Sequence, residues 1–299
     1  MEFISPEELN NMQFHSIEAL QEFLKQRQQA YNNQVVQDFA GLTHTQMHAL
    51  LYKPFSAESP LIINKVGDDI FEQMPFFLTI EHLLHIVMRE GVVKLTPKGN
   101  LTLKICQEIA EKHFWTEELS HLYKQRKEED FSVIHAAKII SLIGGLMRKA
   151  NGKLNVTKQT QKTLEKNDRN ALFLAILQPF MSKFNWGYFD LYTSQGTGML
   201  GWAFSIYLLQ KFGDTPQLLS VYAEKYFSAF PRLRADFADR PYMSVHVQAE
   251  SCYLVRTYVR YFNWLGFVQF MEEKPAYDYK NAIITKTPIV DALFSFKLD

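Results

Sequence analysis

Residues His135–Lys166 read HAAKIISLIGGLMRKANGKLNVTKQTQKTLEK. The apolar run Ser132–Ile143 predicts a helix, and Gly144-Gly145 breaks it, because glycine takes positive φ without a steric penalty. Leu146–Lys149 then predicts a strand. Asn151-Gly152 is the dipeptide best suited to a two-residue hairpin loop, where both central residues need φ above zero. Lys153–Thr157 returns as the second strand, and a helix follows from Lys158 to about Lys166.

Two other stretches share that order. His82–Lys112 reads HLLHIVMREGVVKLTPKGNLTLKICQEIAEK, and Tyr253–Phe296 reads YLVRTYVRYFNWLGFVQFMEEKPAYDYKNAIITKTPIVDALFSF. Each gives an apolar helix, Gly91 or Gly266, a β-branched segment, a polar turn, a second segment ending in Thr, and a helix. The pattern predicts three winged-helix-like units in a mainly α protein with small β-hairpins and additional helices. The expected organisation is an N-terminal helical region 1–70, two units in 71–166, a helical region 167–248 and a C-terminal unit 249–299.

Capping chemistry predicts helix starts elsewhere. Ser5-Pro6-Glu7-Glu8 and Thr43 with Gln46 both have capping-box spacing, and Pro54 stops the helix after Thr43. Further helices are expected over Ser16–Tyr31, Asn170–Lys183, Met199–Phe212 and Pro216–Phe227, with a loop over Arg232–Tyr242.

Composition sets limits. Apolar residues make up 47% and charged residues 21% of the 299-residue chain, which is globular rather than disordered. The formal net charge is zero, so a nucleic-acid contact has to come from a local patch. Two cysteines, Cys106 and Cys252, lie apart without a CxxC partner and are expected to be reduced and buried. No apolar run reaches the length of a membrane span, and no signal peptide is evident, so the expectation is a soluble cytoplasmic protein with no membrane partner.

Gly145-Leu146-Met147-Arg148-Lys149, the Asn151-Gly152 turn and Leu154-Asn155-Val156-Thr157-Lys158 together resemble the wing of MarR-like winged-helix regulators. Leu95-Thr96-Pro97-Lys98-Gly99 resembles their strand-to-helix junction, whereas Gln159-Thr160 stands where those proteins usually carry glycine. Gly41-Leu42-Thr43, Gln46-Met47-His48, Leu50-Leu51-Tyr52 and Leu95–Leu101 resemble a group of uncharacterised bacterial proteins. That resemblance implies a bacterial origin and no assigned activity.

Phosphate contacts supply most of the affinity of a nucleic-acid reader, so its hairpin and adjoining helices need cations. From Lys138 to Lys162 the chain carries no Asp or Glu. The candidate nucleic-acid residues are Lys138, Arg148, Lys149, Asn151, Lys153, Lys158 and Lys162. A solvated basic face is the plainer reading of the same lysines. The helix before the hairpin is poor in the Arg, Asn and Gln that read bases.

Other motifs lack context. Gly196-Thr197-Gly198-Met199-Leu200-Gly201 spells a dinucleotide fingerprint without the strand that should precede it, so tight packing is the expected role of its glycines. His44 with His48, and His82 with His85, have helical ligand spacing but no third ligand, so no metal is expected. Ser251-Cys252 near His246 has no surrounding nucleophile motif. The expectation is a non-enzymatic protein without a cofactor that contacts nucleic acid. The alternatives are a protein–protein adaptor whose units serve as packing modules, and an enzyme with a site in Phe184–Trp202.

Overall fold

A computed structural model describes residues 14–115, 126–271 and 279–298. The molecule is mainly helical with small antiparallel β elements. The expected helix start at Ser5–Glu8 lies outside the described residues. The N-terminal part contains α1 (Ile17–Asn32), α2 (His44–Tyr52), β1 (Leu61–Ile63) and α3 (Asp68–Phe71). Thr43 and Gln46 form the reciprocal capping box at α2.

Two segments then repeat one topology. The first runs α4 (Pro75–Glu90), β2 (Val93–Lys94), α5 (Leu103–Ala110), α6 (Ser132–Ile143), β3 (Met147–Ala150), β4 (Lys153–Val156) and α7 (Lys158–Glu165). After α8 (Arg169–Ser182) and α9 (Trp186–Asp190) comes the second. It runs α10 (Trp202–Phe212), β5 (Gln217–Leu218), α11 (Leu219–Ala229), α12 (Val245–Leu254, continuing as a π-helix over Val255–Phe262), β6 (Val268–Phe270), β7 (Ile283–Lys286) and α13 (Pro288–Leu293). The strand orders match: β2-β4-β3 in the first repeat and β5-β7-β6 in the second. β8 (Phe294–Phe296) pairs with β1 and ties the end of the second repeat to the N-terminal part.

The repeat is therefore longer than the sequence pattern suggested, and there are two copies rather than three. The first stretch forms no hairpin of its own. Thr96 N–H donates to the Asn100 carbonyl and Gly99 N–H donates to the Thr96 carbonyl, closing the turn on itself. β2 instead pairs with β4, with Val93 opposite Leu154 and Lys94 opposite Lys153. The C-terminal hairpin likewise takes its third strand from Gln217–Leu218, well before Tyr253.

One apolar core runs through both repeats, and its ring-to-ring contacts cross between them. Phe76 on α4 packs on Phe180 of α8 at 4.9 Å and on Trp264 after α12 at 5.6 Å. Among the described residues, no helix is long and apolar enough to cross a membrane.

The glycines of the fingerprint-like loop make room for side chains. Gly198 has φ +82°, and a Cβ there would lie 3.1 Å from Arg256 Cβ. Gly201 has φ +73°, and its Cβ would lie 2.6 Å from the Phe230 ring. Gly145 shares the left-handed backbone (φ +71°) but has nothing within 4 Å of such a Cβ. Gly145→Ala is expected to cost about 1–2 kcal/mol from backbone conformation alone. Gly201→Ala is expected to cost about 1–3 kcal/mol more from the collision. Urea denaturation of the two variants checks the difference.

Candidate nucleic-acid interface

Strand register decides which hairpin cations share a surface. Successive side chains of a strand alternate between faces, and directly opposed residues lie on the same face. Lys94 opposes Lys153, Lys153 opposes Ala150, and Arg148 opposes Asn155. Lys94, Arg148, Ala150, Lys153 and Asn155 therefore form one face. Val93, Met147, Lys149, Leu154 and Val156 form the other. Burial agrees: Val93, Met147, Leu154 and Val156 are core residues, whereas Lys94, Arg148 and Lys153 are exposed.

Arg148 and Lys149 thus point to opposite sides although they are adjacent. The Lys149 ammonium lies over the Gly99 turn, 2.7 Å from where a glycine Cβ would sit. Asn151 has φ +49° and Gly152 φ +69°, so both tip residues are left-handed, and Asn151 is exposed. Lys158 and Lys162 are exposed one turn apart on α7, beyond the base of the hairpin. Among the described residues, Lys94, Arg148, Lys149, Lys153, Lys158 and Lys162 form no ion pair with a carboxylate. Lys94, on the β-branched segment Val92–Leu95, is not among the sequence candidates because Glu81, Glu90, Glu108 and Glu111 balance the cations of its stretch in the sequence.

Lys138 does not belong to this surface. It is 5% exposed, and its ammonium lies 2.5 Å from the Glu128 carboxylate and 3.2 Å from the Gly99 carbonyl it donates to. The fully buried Glu128 also bonds His135 Nδ1 and accepts the Leu101 N–H. A long side chain in an otherwise apolar helix gave no sign of its inward partner ten residues earlier.

The second repeat places its cations differently. Arg256, on the helix equivalent to α6, is 1% exposed and forms a two-pronged pair with Asp190, at 2.6 and 3.0 Å. Its remaining donors bond the Ser194 and Thr197 carbonyls, both at 2.8 Å. Lys286 on β7 is held by Asp291 at 2.7 Å and Asp214 at 2.9 Å.

The remaining candidates have structural roles. His44 stacks on Tyr31 at 4.8 Å and His48 lies against Tyr52 at 4.8 Å. Burial pulls the His82 pKa below the usual histidine range. Among the described residues, no group of three or more His, Cys, Asp or Glu could hold a metal. Cys106 and Cys252 are free and buried. Burial pushes both thiols up to about 12.

A family model, the Y4jL N-terminal domain, matches residues 72–169, a span that brackets the first repeat. No curated protein and no solved structure matches the chain.

Removing one partner of a buried ion pair leaves an unpaired charge in the core, so Glu128→Ala is expected to cost about 3–5 kcal/mol in denaturant unfolding. The raised thiol pKa values and burial predict that iodoacetamide at pH 8 leaves Cys106 and Cys252 unmodified in the native state. Both should be alkylated in urea, with mass spectrometry as the readout.

Proposed function

We propose that both repeats are winged helices and that the protein is a non-enzymatic nucleic-acid-binding protein of the bacterial cytoplasm. The topology supports the first part: helix, strand, helix, helix, then a hairpin whose second strand pairs with the first strand of the unit. One observation carries the second part. Among the described residues, Lys94, Arg148 and Lys153 share an exposed sheet face whose strand residues include no carboxylate. Directly opposed like charges, as in Lys94 and Lys153, cost stability. A phosphate lying between them would offset that cost.

Fluorescence anisotropy with a mixed-sequence DNA duplex tests the proposal. Arg148→Glu with Lys153→Glu is expected to weaken binding at least tenfold while leaving the circular dichroism spectrum unchanged. Lys149→Glu, on the other face, is expected to have a smaller effect. Unchanged affinity in the double variant would overturn the assignment of this face.

A specific observation favours a protein-interaction reading as the second choice. Among the described residues, β1 pairs only with β8, so no described strand occupies its other edge. That edge lines a cleft of about 380 Å³ together with Phe55, Leu174 and Gln178. An open edge beside apolar side chains can accept an extended peptide as an added strand. This reading predicts partner binding that is indifferent to salt and to the Arg148/Lys153 reversal.

A further inference from the structure

We infer that the protein holds duplex nucleic acid by its phosphate backbone, with no base readout and with one binding face per chain; this rests on the nucleic-acid reading above. Winged helices that read sequence do so with solvent-facing side chains on the third helix, which enters the major groove. In the first repeat that helix is α6, and it is sealed. Its side chains from Val133 to Lys138, with Ile140 and Ser141, are all buried. Ile139, Leu142 and Ile143 are half-buried and apolar, which leaves Ser132 as its one exposed polar side chain. Phe189 covers His135 at a ring distance of 5.4 Å, and α4, α8 and the hairpin pack on other sides.

The third helix of the second repeat offers no exposed lysine or arginine. Gln248, Cys252, Tyr253, Arg256, Thr257, Tyr258 and Tyr261 are buried and Arg256 is committed to Asp190, while Glu250, Ser251 and Arg260 are half-buried and His246, in its first turn, is exposed. Among the described residues, the strands of the second hairpin carry no free cation, because two aspartates hold Lys286, and the exposed Lys280 lies in its turn. The first hairpin is left as the strand face that carries free cations.

That face suits a duplex better than a single strand. Bases of single strands are held by stacking on aromatic side chains. Lys94, Arg148, Ala150, Lys153 and Asn155 provide none. Without stacking or base-edge contacts, charge density decides affinity, and a duplex carries about one charge per 1.7 Å of axis. Neighbouring strands lie about 4.8 Å apart, so the three cations fall within about one Debye length and act on the same stretch of backbone.

The test uses the full chain with fluorescent duplexes of equal length, one all A·T, one all G·C and one mixed, plus the mixed single strand, at several salt concentrations. The duplex Kd values are expected to agree within about threefold, with the single strand bound more weakly. Each duplex should show a log–log salt slope of about −3, as expected for three phosphate contacts. Arg148→Glu should make that slope shallower by about 1 on every duplex alike. A tenfold preference for one duplex, or tighter binding of the single strand, overturns the backbone-only inference and leaves the nucleic-acid reading standing. No binding to any of the four at low salt overturns both.

Discussion

A buried carboxylate paired with a cation from the third helix organises each repeat. In the first, Glu128 gathers the Lys138 ammonium, His135 Nδ1 and the Leu101 N–H. Lys138 reaches on to the Gly99 carbonyl. One carboxylate thus joins the third helix, the approach to the second helix and the turn after β2. In the second repeat Arg256 joins Asp190 to the carbonyls of Ser194 and Thr197. Isolated buried charges are so costly that these partners cannot separate without opening the core. The pairing fixes which way the third helices face.

The proposed function rests on what that constraint leaves outside. With Lys138 and Arg256 turned inward, α6 keeps only Ser132 as an exposed polar side chain and the third helix of the second repeat presents no exposed lysine or arginine. The first hairpin retains cations on its outer surface because its core face is already filled by Val93, Met147, Leu154 and Val156. The second hairpin has the same strand order, yet the lysine on its strands, Lys286, is neutralised. Two copies of one architecture have thus come to differ in surface charge while keeping their internal plan.

Local structure was legible in the sequence where local chemistry determines it. Asn151-Gly152 announced the hairpin, and Gly91, Gly145 and Gly266 all take positive φ at the helix ends they marked. Ser132–Ile143 forms the expected helix, and the Thr43–Gln46 capping box is present. Pairing between distant segments was not legible. Nothing near Val93 indicates that its partner is Leu154, and nothing near Ile284 points back to Gln217. The helices of the second repeat before Glu250 carry only generic apolar periodicity, so only its last helix, Gly266, hairpin and closing helix stand out in the sequence. The inward turn of Lys138 was hidden for a related reason: burial of a lysine depends on a carboxylate that only the fold brings near. The split of Arg148 from Lys149 was available in principle, since strand alternation with Met147 in the core already assigns Lys149 to the core side.

The most direct measurement is to cross-link a DNA duplex to the full chain through its lysines with formaldehyde and map the adducts by peptide mass spectrometry. Adducts on peptides carrying Lys94 and Lys153, with none on peptides from residues 132–143 or on Lys286, are the result expected of a sealed third helix and a cationic hairpin face. Adducts concentrated on Lys138 would show that the third helix opens to nucleic acid and would contradict the account.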